Sequence, residues 1–373
     1  MPTMRFVKAL YEVQAEDQRR AAEEVAWGQS VGNPYIRAIG DSPKLIAKHK
    51  ARILKQEGGR LLMGYPLRNF GIQDGANYLL SVLMGGQCDI DNIRGCRLVE
   101  LEMPELLKKR YLGPRYGMQG IRQITGAYDR PLIGAIVKPK IGLTPVEVAK
   151  VAVELAEGGA DFIKEDEILS NQSWCPFLKR VKEVSHALRG SKVIYAPSIT
   201  SDPDRILRRA YYAESMGMKA VHFNLWAGLG TYATLRRKTG LALFFQKSGD
   251  KVWTTGAYSI DYAVICQLIN LIGCDFAHVG MYGGYMSEQV GVIAKRISAL
   301  GQTIPSFSCG AHPGLVRKLV GQFGNDIMIT AGGSVHGHGM GCRAGVKAFR
   351  DAIGGYTQPS RELAWAIKKW GIS

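Results

Sequence analysis

The chain has 373 residues, of which 46% are hydrophobic, and its 48 lysines and arginines against 32 aspartates and glutamates give a formal net charge of +16. This length and composition exclude a disordered or fibrous chain and predict a globular protein of about two domains. The basic residues occur as pairs and triplets, without a long basic tract, a zinc-finger spacing or an aromatic RNA-binding motif. The charge therefore favours a phosphorylated small-molecule substrate over nucleic acid.

Targeting signals and cysteine spacing bear on location. The first 20 residues contain no apolar core of signal-peptide length, and no stretch approaches about 18 uncharged apolar residues. The seven cysteines are odd in number and scattered, with no CxxC pair. We therefore expect a cytoplasmic protein with reduced thiols and no membrane partner.

The first part of the chain, residues 1–120, mixes strand-like and helical segments and predicts an α+β domain. Alternation predicts a strand in "MRFVKALYEV" and another in "GRLLMGYPL", which ends at proline. Apolar spacing predicts helices in "EDQRRAAEEVAWGQS" and "DGANYLLSVLMGG", the latter stopped by glycines.

From about residue 131, short apolar runs recur with amphipathic segments between them. Eight such runs are found: "PLIGAIVKPK", "ADFIKEDE", "KVIYAPSIT", "KAVHFNLWAG", "LALFFQK", "CDFAHVG", "PSFSCGA" and "DIMITAGG". Eight strand-then-helix units predict an α/β domain over residues 121–373, a C-terminal (β/α)8 TIM barrel whose active site lies at the carboxyl ends of the strands. A doubly wound parallel sheet is the alternative.

Polar residues follow two of these runs. Lys164 and Asp166 are two apart and share one face of a strand, and Glu167 follows at its end. Carboxylates suit a hard cation such as Mg²⁺, but an ammonium cannot bind a metal, so Lys164 must be chemically converted to be a ligand. The alternative is a structural ion-pair cluster. Lys138 and Lys140, in "GAIVKPKIGL", also share a face and point into the same site.

The motifs "RPLIGAIVKPKIGLTP", "GGADFIKEDE", "FAHVG", "SCG" and "ITAGGSVHGHGMG", in this order, resemble those of the RuBisCO large-subunit superfamily. The N-terminal "YEVQAEDQRRAAEEVAWGQSVG" resembles that family's first domain, so the resemblance covers nearly the whole chain. It implies a ferredoxin-like N-terminal domain, a barrel, and a homodimer or a higher oligomer of dimers, with active sites between the barrel of one subunit and the N-terminal domain of the other.

The resemblance also implies roles for particular residues. Lys164 would react with CO₂ to give a carbamate, an anionic ligand that binds Mg²⁺ together with Asp166 and Glu167. Lys138 and Lys140 would lie near the reacting carbons. The residues that would contact the substrate or its phosphate are His278, Ser308, Gly310, Gly332 and Gly333. The purely structural alternatives are a core histidine at His278, a turn cap at Ser308, and a tight turn that requires Gly332 and Gly333.

Three further side chains near these motifs attract interest. His336 and His338 are two apart, but no third ligand lies nearby in the sequence, so we do not assign them a metal. Cys309 stands beside the expected phosphate loop, where we expect a buried, inert thiol.

Departures from the carboxylase pattern point to the non-carboxylating RuBisCO-like proteins, form IV. The N-terminal glutamate and asparagine of carboxylases align with Gly28 and Gly86. The histidine and arginine after strand five align near Phe245 and Gln246, and the lysine of the loop after strand six aligns at about Tyr285. Without these groups, the chain lacks the stabilisation that carboxylation needs in its transition state.

These residues still support the first half of the carboxylase reaction, which forms an enolate. We therefore expect an isomerase or lyase that acts through a metal-stabilised enolate. Lys138 or the Lys164 carbamate would handle the proton, and Lys140 would hold charge. The favoured reaction is isomerisation of a phosphorylated ketose of the 5-methylthioribulose 1-phosphate type. The alternatives are decarboxylation of a phosphorylated 3-oxo sugar acid and, in another class, a non-catalytic sensor of a phosphorylated metabolite. A diketo-methylthiopentyl phosphate enolase fits poorly, because such enolases use a lysine where this chain has Gly86.

Overall fold

The described residues pack into two compact units. The computed structural model describes residues 6–36, 40, 42–71, 73–284 and 286–373. The first unit comprises residues up to Leu112 together with 228–230 and 249–272, and the second comprises 113–227, 231–248 and 273–373. The expected domain boundary at about residue 120 stays a prediction. Packing groups residues 249–272, which follow a barrel strand in the sequence, with the first unit.

The strands, in chain order, are β1 (Phe6–Ala15), β2 (Arg52–Glu57), β3 (Arg60–Pro66), β4 (Ile93–Glu102), β5 (Leu132–Ile136), β6 (Phe162–Lys164), β7 (Ile194–Ala196), β8 (Ala220–Asn224), β9 (Ala242–Gln246), β10 (Tyr258–Ile260), β11 (Phe276–Gly280), β12 (Ile304–Phe307) and β13 (Met328–Ala331). The α-helices are α1 (Gln18–Gly28), α2 (Pro43–His49), α3 (Gly75–Leu83), α4 (Glu105–Lys108), α5 (Gly117–Thr125), α6 (Pro145–Glu157), α7 (Phe177–Ala187), α8 (Pro203–Ser215), α9 (Leu229–Lys238), α10 (Lys251–Thr254), α11 (Tyr262–Ile272), α12 (Val290–Leu300), α13 (Val316–Phe323), α14 (Gly333–His336), α15 (Cys342–Gly354) and α16 (Arg361–Trp370).

The first unit is built on a mixed sheet with the strand order β10-β4-β1-β3-β2. Pairing is antiparallel except between β10 and β4. Strands β4-β1-β3-β2, with α1 following β1 and α3 following β3, form the ferredoxin-like arrangement, which confirms the predicted α+β class.

The second unit is a closed barrel of eight parallel strands. Their order is β7-β6-β5-β13-β12-β11-β9-β8, and each of the eight predicted runs overlaps one of them. A bridge between Ser198 and His222 joins β7 to β8, with the Ile199 amide donating to the His222 carbonyl at 2.9 Å. This closure confirms the TIM barrel and excludes the doubly wound alternative.

Side chains from alternate strands fill the barrel in layers, as the strand register and the burial of each residue show. The lowest layer that we follow is apolar and contains Phe162, Ala220, Phe276 and Met328. The layer above contains Gly134, Ala196, Phe244 and Ser306. The next layer is polar and contains Lys164, His222, His278 and Thr330. Lys164 lies in this polar layer, next to the carboxyl ends of the strands where the active site is expected.

Helix α6, which connects β5 to β6, begins at a capping box. The Thr144 side chain accepts from the Glu147 amide and the Glu147 side chain accepts from the Thr144 amide, while Pro145 occupies the first turn. Searched over the described residues, no helix is both long enough and apolar enough to cross a membrane.

Candidate active site

Lys164 is a buried lysine whose side chain points into the barrel. It is 1% exposed, and its Nζ donates to the Glu165 carbonyl at 3.1 Å and lies 5.6 Å from the Phe244 ring centroid. Burial lowers the pKa of Lys164 to about 8, although the charges of Glu167 and Asp166 raise it. A substantial fraction of this amine is therefore neutral near physiological pH.

Glu165 faces the opposite side of strand β6 and forms a buried ion pair. Its Oε1 accepts from Arg180 Nε and from the Tyr195 hydroxyl, each at 2.8 Å, and its Oε2 accepts from the Ser198 amide at 2.8 Å. Both members of the pair are 0% exposed. This anchor holds the end of β6 so that Lys164 and Asp166 face inward. The sequence analysis missed it, although strand alternation already separates Glu165 from its two neighbours.

Asp166 accepts from the first of the two lysines that follow β5. Lys138 Nζ lies 2.8 Å from Asp166 Oδ2, and Lys140 Nζ lies 3.9 Å from the same atom. Burial would raise the pKa of Asp166, but the hydrogen bond and charge of Lys138, with the charges of Lys140 and Lys164, lower it below its usual value. The structure thus brings both lysines of "GAIVKPKIGL" to one carboxylate.

The side chains around Lys164 suit a divalent cation only with a further anionic ligand. Over the described ranges, no group of three or more His, Cys, Asp and Glu side chains is arranged to hold a metal ion. Asp166 and the half-buried Glu167 supply two carboxylates, and both act electrostatically on Lys164. The neutral form of Lys164 is the form that attacks CO₂, and a carbamate on it would supply the missing oxygen ligand. The residues present therefore fit a carbamate and a hard cation.

The expected phosphate loops follow β12 and β13 and are linked to each other. Ser334 Oγ donates to the Ala311 carbonyl at 2.6 Å, and the Ser308 amide donates to the Gly280 carbonyl at 3.2 Å. A Cβ on Gly332 would stand 3.0 Å from Lys138 Cε. An alanine at Gly332 would therefore displace the flexible end of the Lys138 side chain by a few tenths of an ångström, whereas Gly333 has open space around it.

His278 lies in the polar layer of the barrel, 5% exposed, with its ring centroid 4.7 Å from that of Phe244. Burial, together with the charges of Lys164 and Lys247, holds the pKa of His278 well below its usual range. It is therefore a neutral histidine close to Lys164. Strand β8 contributes a second buried histidine, His222, which the sequence analysis did not single out.

The expectation for Cys309 was wrong, because this residue is exposed. It adopts a left-handed backbone conformation with φ of 74°, in the turn that leads from Ser308 to the glycine loop. Of the two nearby histidines, His336 Nε2 lies 3.0 Å from the Ile136 carbonyl, and His338 Nε2 lies 3.0 Å from the Glu362 carbonyl.

The described residues at the positions of the missing carboxylase groups make structural contacts within this chain. Gln246 points into the barrel and donates to Ser248 Oγ at 2.7 Å, while Phe245 faces away and packs against Tyr232. In the first unit Gly28 is exposed, and a Cβ on Gly86 would stand 2.8 Å from the Gln29 amide nitrogen. Tyr285, the expected position of the mobile-loop lysine, lies outside the described residues.

Fold and site together define a (β/α)8-barrel protein with a buried lysine, two carboxylates and two further lysines at the carboxyl ends of neighbouring strands. The family profile "Ribulose bisphosphate carboxylase large chain, catalytic domain" matches residues 117–300 and 288–370. The chain belongs to the RuBisCO large-chain family.

Known relatives include both carboxylases and RuBisCO-like proteins. An "uncharacterized ribulose bisphosphate carboxylase-like protein" of Bordetella bronchiseptica is 32% identical over 367 residues, which are 90% of this chain and 86% of that protein. The octameric RuBisCO of Pyrococcus horikoshii is 27% identical with a TM-score of 0.92, covering 100% of this chain and 95% of that one. A RuBisCO-like protein (MtnW) of Alicyclobacillus acidocaldarius is 28% identical with a TM-score of 0.86, covering 98% of this chain and 100% of that one.

Proposed function

We propose that this protein catalyses Mg²⁺-dependent enolisation of a phosphorylated ketose and does not fix CO₂. The observation that carries the proposal is the arrangement around Asp166, whose carboxylate binds Lys138 at 2.8 Å beside the buried Lys164. A binding protein would gain nothing from a desolvated lysine next to carboxylates, whereas proton transfer requires groups of this kind.

In this proposal the Lys164 carbamate, Asp166 and Glu167 hold Mg²⁺, which when bound acidifies the carbon next to a substrate carbonyl. Lys138, 25% exposed above the buried Asp166 carboxylate, would exchange a proton with that carbon. The Lys164 carbamate is the alternative base. Lys140, more than half exposed, holds negative charge on the substrate as it develops. The phosphate would bind at Gly310, Gly332 and Gly333, with Ser308 and His278 beside it.

The side chains at the carboxylase positions support a reaction that ends at the enolate. Gln246 is an amide where carboxylases provide cationic or imidazole groups, and Gly28 and Gly86 have no side chain to offer. The likeness to RuBisCO-like proteins agrees with a reaction without carboxylation, but archaeal carboxylases are similar to this chain at comparable identity, so the proposal depends on the residues at these positions.

An isomerase acting on a compound of the 5-methylthioribulose 1-phosphate type needs only enolisation and reprotonation, which is why we favour it. A decarboxylase of a phosphorylated 3-oxo sugar acid would reach the same enolate, and Lys138 and Lys140 would attract its extra carboxylate. Proton NMR in D₂O with each type of substrate separates the two. Deuterium incorporation or proton migration without release of CO₂ supports the isomerase, and release of CO₂ contradicts it.

The alternative of a different class is a sensor that binds a phosphorylated metabolite without turnover. Metal analysis after incubation with Mg²⁺ and bicarbonate tests it, since the enzyme should bind one Mg²⁺ for each chain. Loss of that binding in Lys164→Ala, with an unchanged far-UV spectrum, supports the enzyme. Absence of stoichiometric Mg²⁺ in the parent supports the sensor. We further propose a cytoplasmic homodimer or an oligomer of dimers.

A further inference from the structure

His222 is a buried histidine whose ring makes no hydrogen bond of normal geometry within the described part of the chain. It lies in strand β8, is 0% exposed, and among the described residues neither of its ring nitrogens has a partner of normal geometry. Buried imidazole nitrogens are usually paired, because leaving a donor unsatisfied costs stability. A second, absent group is therefore expected to meet this ring.

Lys164 is the neighbour of His222 in the polar layer of the barrel. The Phe244 ring lies beneath both, 5.6 Å from Lys164 Nζ and 6.4 Å from the His222 ring centroid. The Glu165 carbonyl accepts a hydrogen bond from Lys164 Nζ. The same carbonyl also interacts with the His222 ring, but not with the geometry of a normal hydrogen bond. Lys164 and His222 thus share two neighbours, the Phe244 ring and the Glu165 carbonyl, and the charge of Lys164 acts on the His222 ring.

An imidazole ring has at least one N–H whether it is neutral or protonated, so His222 offers its surroundings a hydrogen-bond donor.

We propose that His222 is a positioning residue whose ring N–H donates to an oxygen of the carbamate formed on Lys164. This inference rests on the proposed function, which includes that carbamate. The lone pair of the neutral Lys164 amine forms an N–C bond to CO₂, one C=O π bond opens onto oxygen, and a proton leaves the nitrogen for solvent. The product is an anion, and hydrogen bonds to anionic oxygens are the stronger kind. The carbamate thus satisfies a donor that the unmodified chain leaves unpaired.

The test uses ¹³C NMR of the full chain with ¹³CO₂ and Mg²⁺, comparing the parent with His222→Phe and His222→Gln. We expect His222→Phe to need about tenfold more CO₂ for half occupancy, because one charge-assisted hydrogen bond is lost. His222→Gln keeps an amide donor and should stay closer to the parent. His338→Gln is the matched control: His338 is also buried, but it lies near the Glu362 carbonyl, outside the barrel layer, and this variant should match the parent.

Thermal unfolding tests the inference through a second quantity, the rise in Tm on adding CO₂ and Mg²⁺. Whatever its Tm without CO₂, His222→Phe should lose most of the rise in Tm that CO₂ and Mg²⁺ give the parent. If His222→Phe does not fold, histidine ring ¹⁵N shifts of the parent, assigned with His222→Gln, serve instead, and a His222 signal unmoved by CO₂ contradicts the inference. Equal CO₂ dependence in parent and His222→Phe overturns the role of His222 alone. Absence of any carbamate in the parent overturns the proposed function as well.

Discussion

Lys138 and Asp166 form an ion pair of 2.8 Å between the segments that follow the neighbouring strands β5 and β6. Lys140 reaches the same carboxylate oxygen only at 3.9 Å and is 55% exposed. Two lysines of equal charge and almost equal sequence position therefore differ in how strongly they interact with one carboxylate, and this difference can be measured.

Replacing Lys138 by methionine should lower the free energy of unfolding at pH 7 by about 1.5–3 kcal/mol, since a largely buried charged hydrogen bond is lost. Lys140→Met is the matched control and should change it little. The lowered pKa of Asp166 stabilises the fold above the unfolded value of about 3.9, and this contribution disappears as the pH falls through the folded value. Urea titrations at pH 7 and pH 3 should show a smaller Lys138→Met effect at pH 3 than at pH 7. Equal effects for the two lysines would contradict the geometry.

Lys164 should react with CO₂ at a rate that follows its neutral fraction. With a pKa of about 8, the initial rate at fixed dissolved CO₂ should rise about tenfold per pH unit below pH 8 and level off above it. Exposed lysines, with pKa values of about 10.4, should instead keep gaining reactivity up to pH 10. Time-resolved ¹³C-carbamate detection between pH 6.5 and 10 measures this. A rate still rising at pH 10 would show that burial does not lower the pKa of Lys164.

The fold was predictable where short apolar runs recur at regular intervals. All eight barrel strands overlap such runs, because strands surrounded by helices are buried on both faces. Strands β2, β4 and β10 were not predicted, and two of them have a physical reason. Strand β2, "RILKQE", is a mostly exposed edge with three charged residues, and β10 has only three residues whose partner β4 lies more than 150 positions away in the sequence.

The site was predictable where alternation and motifs agree, as for Lys138, Lys164 and Asp166. Arg180 and Glu165 are far enough apart in sequence that only the packing of α7 on β6 reveals their pairing. His222 stands between Val221 and Phe223 in an apolar run, and Asn224, two positions on and on the same strand face, was not interpreted as part of a site. The exposure of Cys309 depends on a turn with positive φ. Such a turn is not predicted at a non-glycine residue, because these residues rarely adopt positive φ.

Arg180 should be among the most destabilising positions outside the site. Arg180→Met leaves Glu165 buried and unpaired, so we expect a loss of about 3–5 kcal/mol of unfolding free energy. Arg208→Met removes an exposed helical pair with Asp204 and should have little effect. Denaturant titration checks both. The double variant Glu165→Gln/Arg180→Met should lose less than the sum of its single changes, and strict additivity would mean that the two side chains do not interact.

Gly332 should be required for the position of Lys138. In Gly332→Ala the new methyl group would lie 3.0 Å from Lys138 Cε, so the lysine must move, and we expect substrate deuterium exchange to slow by about 10-fold to 100-fold. Gly321→Ala, in helix α13, adds a methyl group with no atom within 4 Å and should leave exchange unchanged. Proton NMR measures the exchange rates. A rate in Gly332→Ala equal to that of the parent would show that the position of Lys138 does not affect the reaction.

The most direct measurement of the central claim is deuterium incorporation from D₂O into a phosphorylated ketose, followed by proton NMR for the parent and for Lys164→Ala, each incubated with Mg²⁺ and CO₂. The account predicts exchange at the carbon beside the carbonyl in the parent and none above background in a folded Lys164→Ala. Exchange at equal rates in both proteins would contradict it.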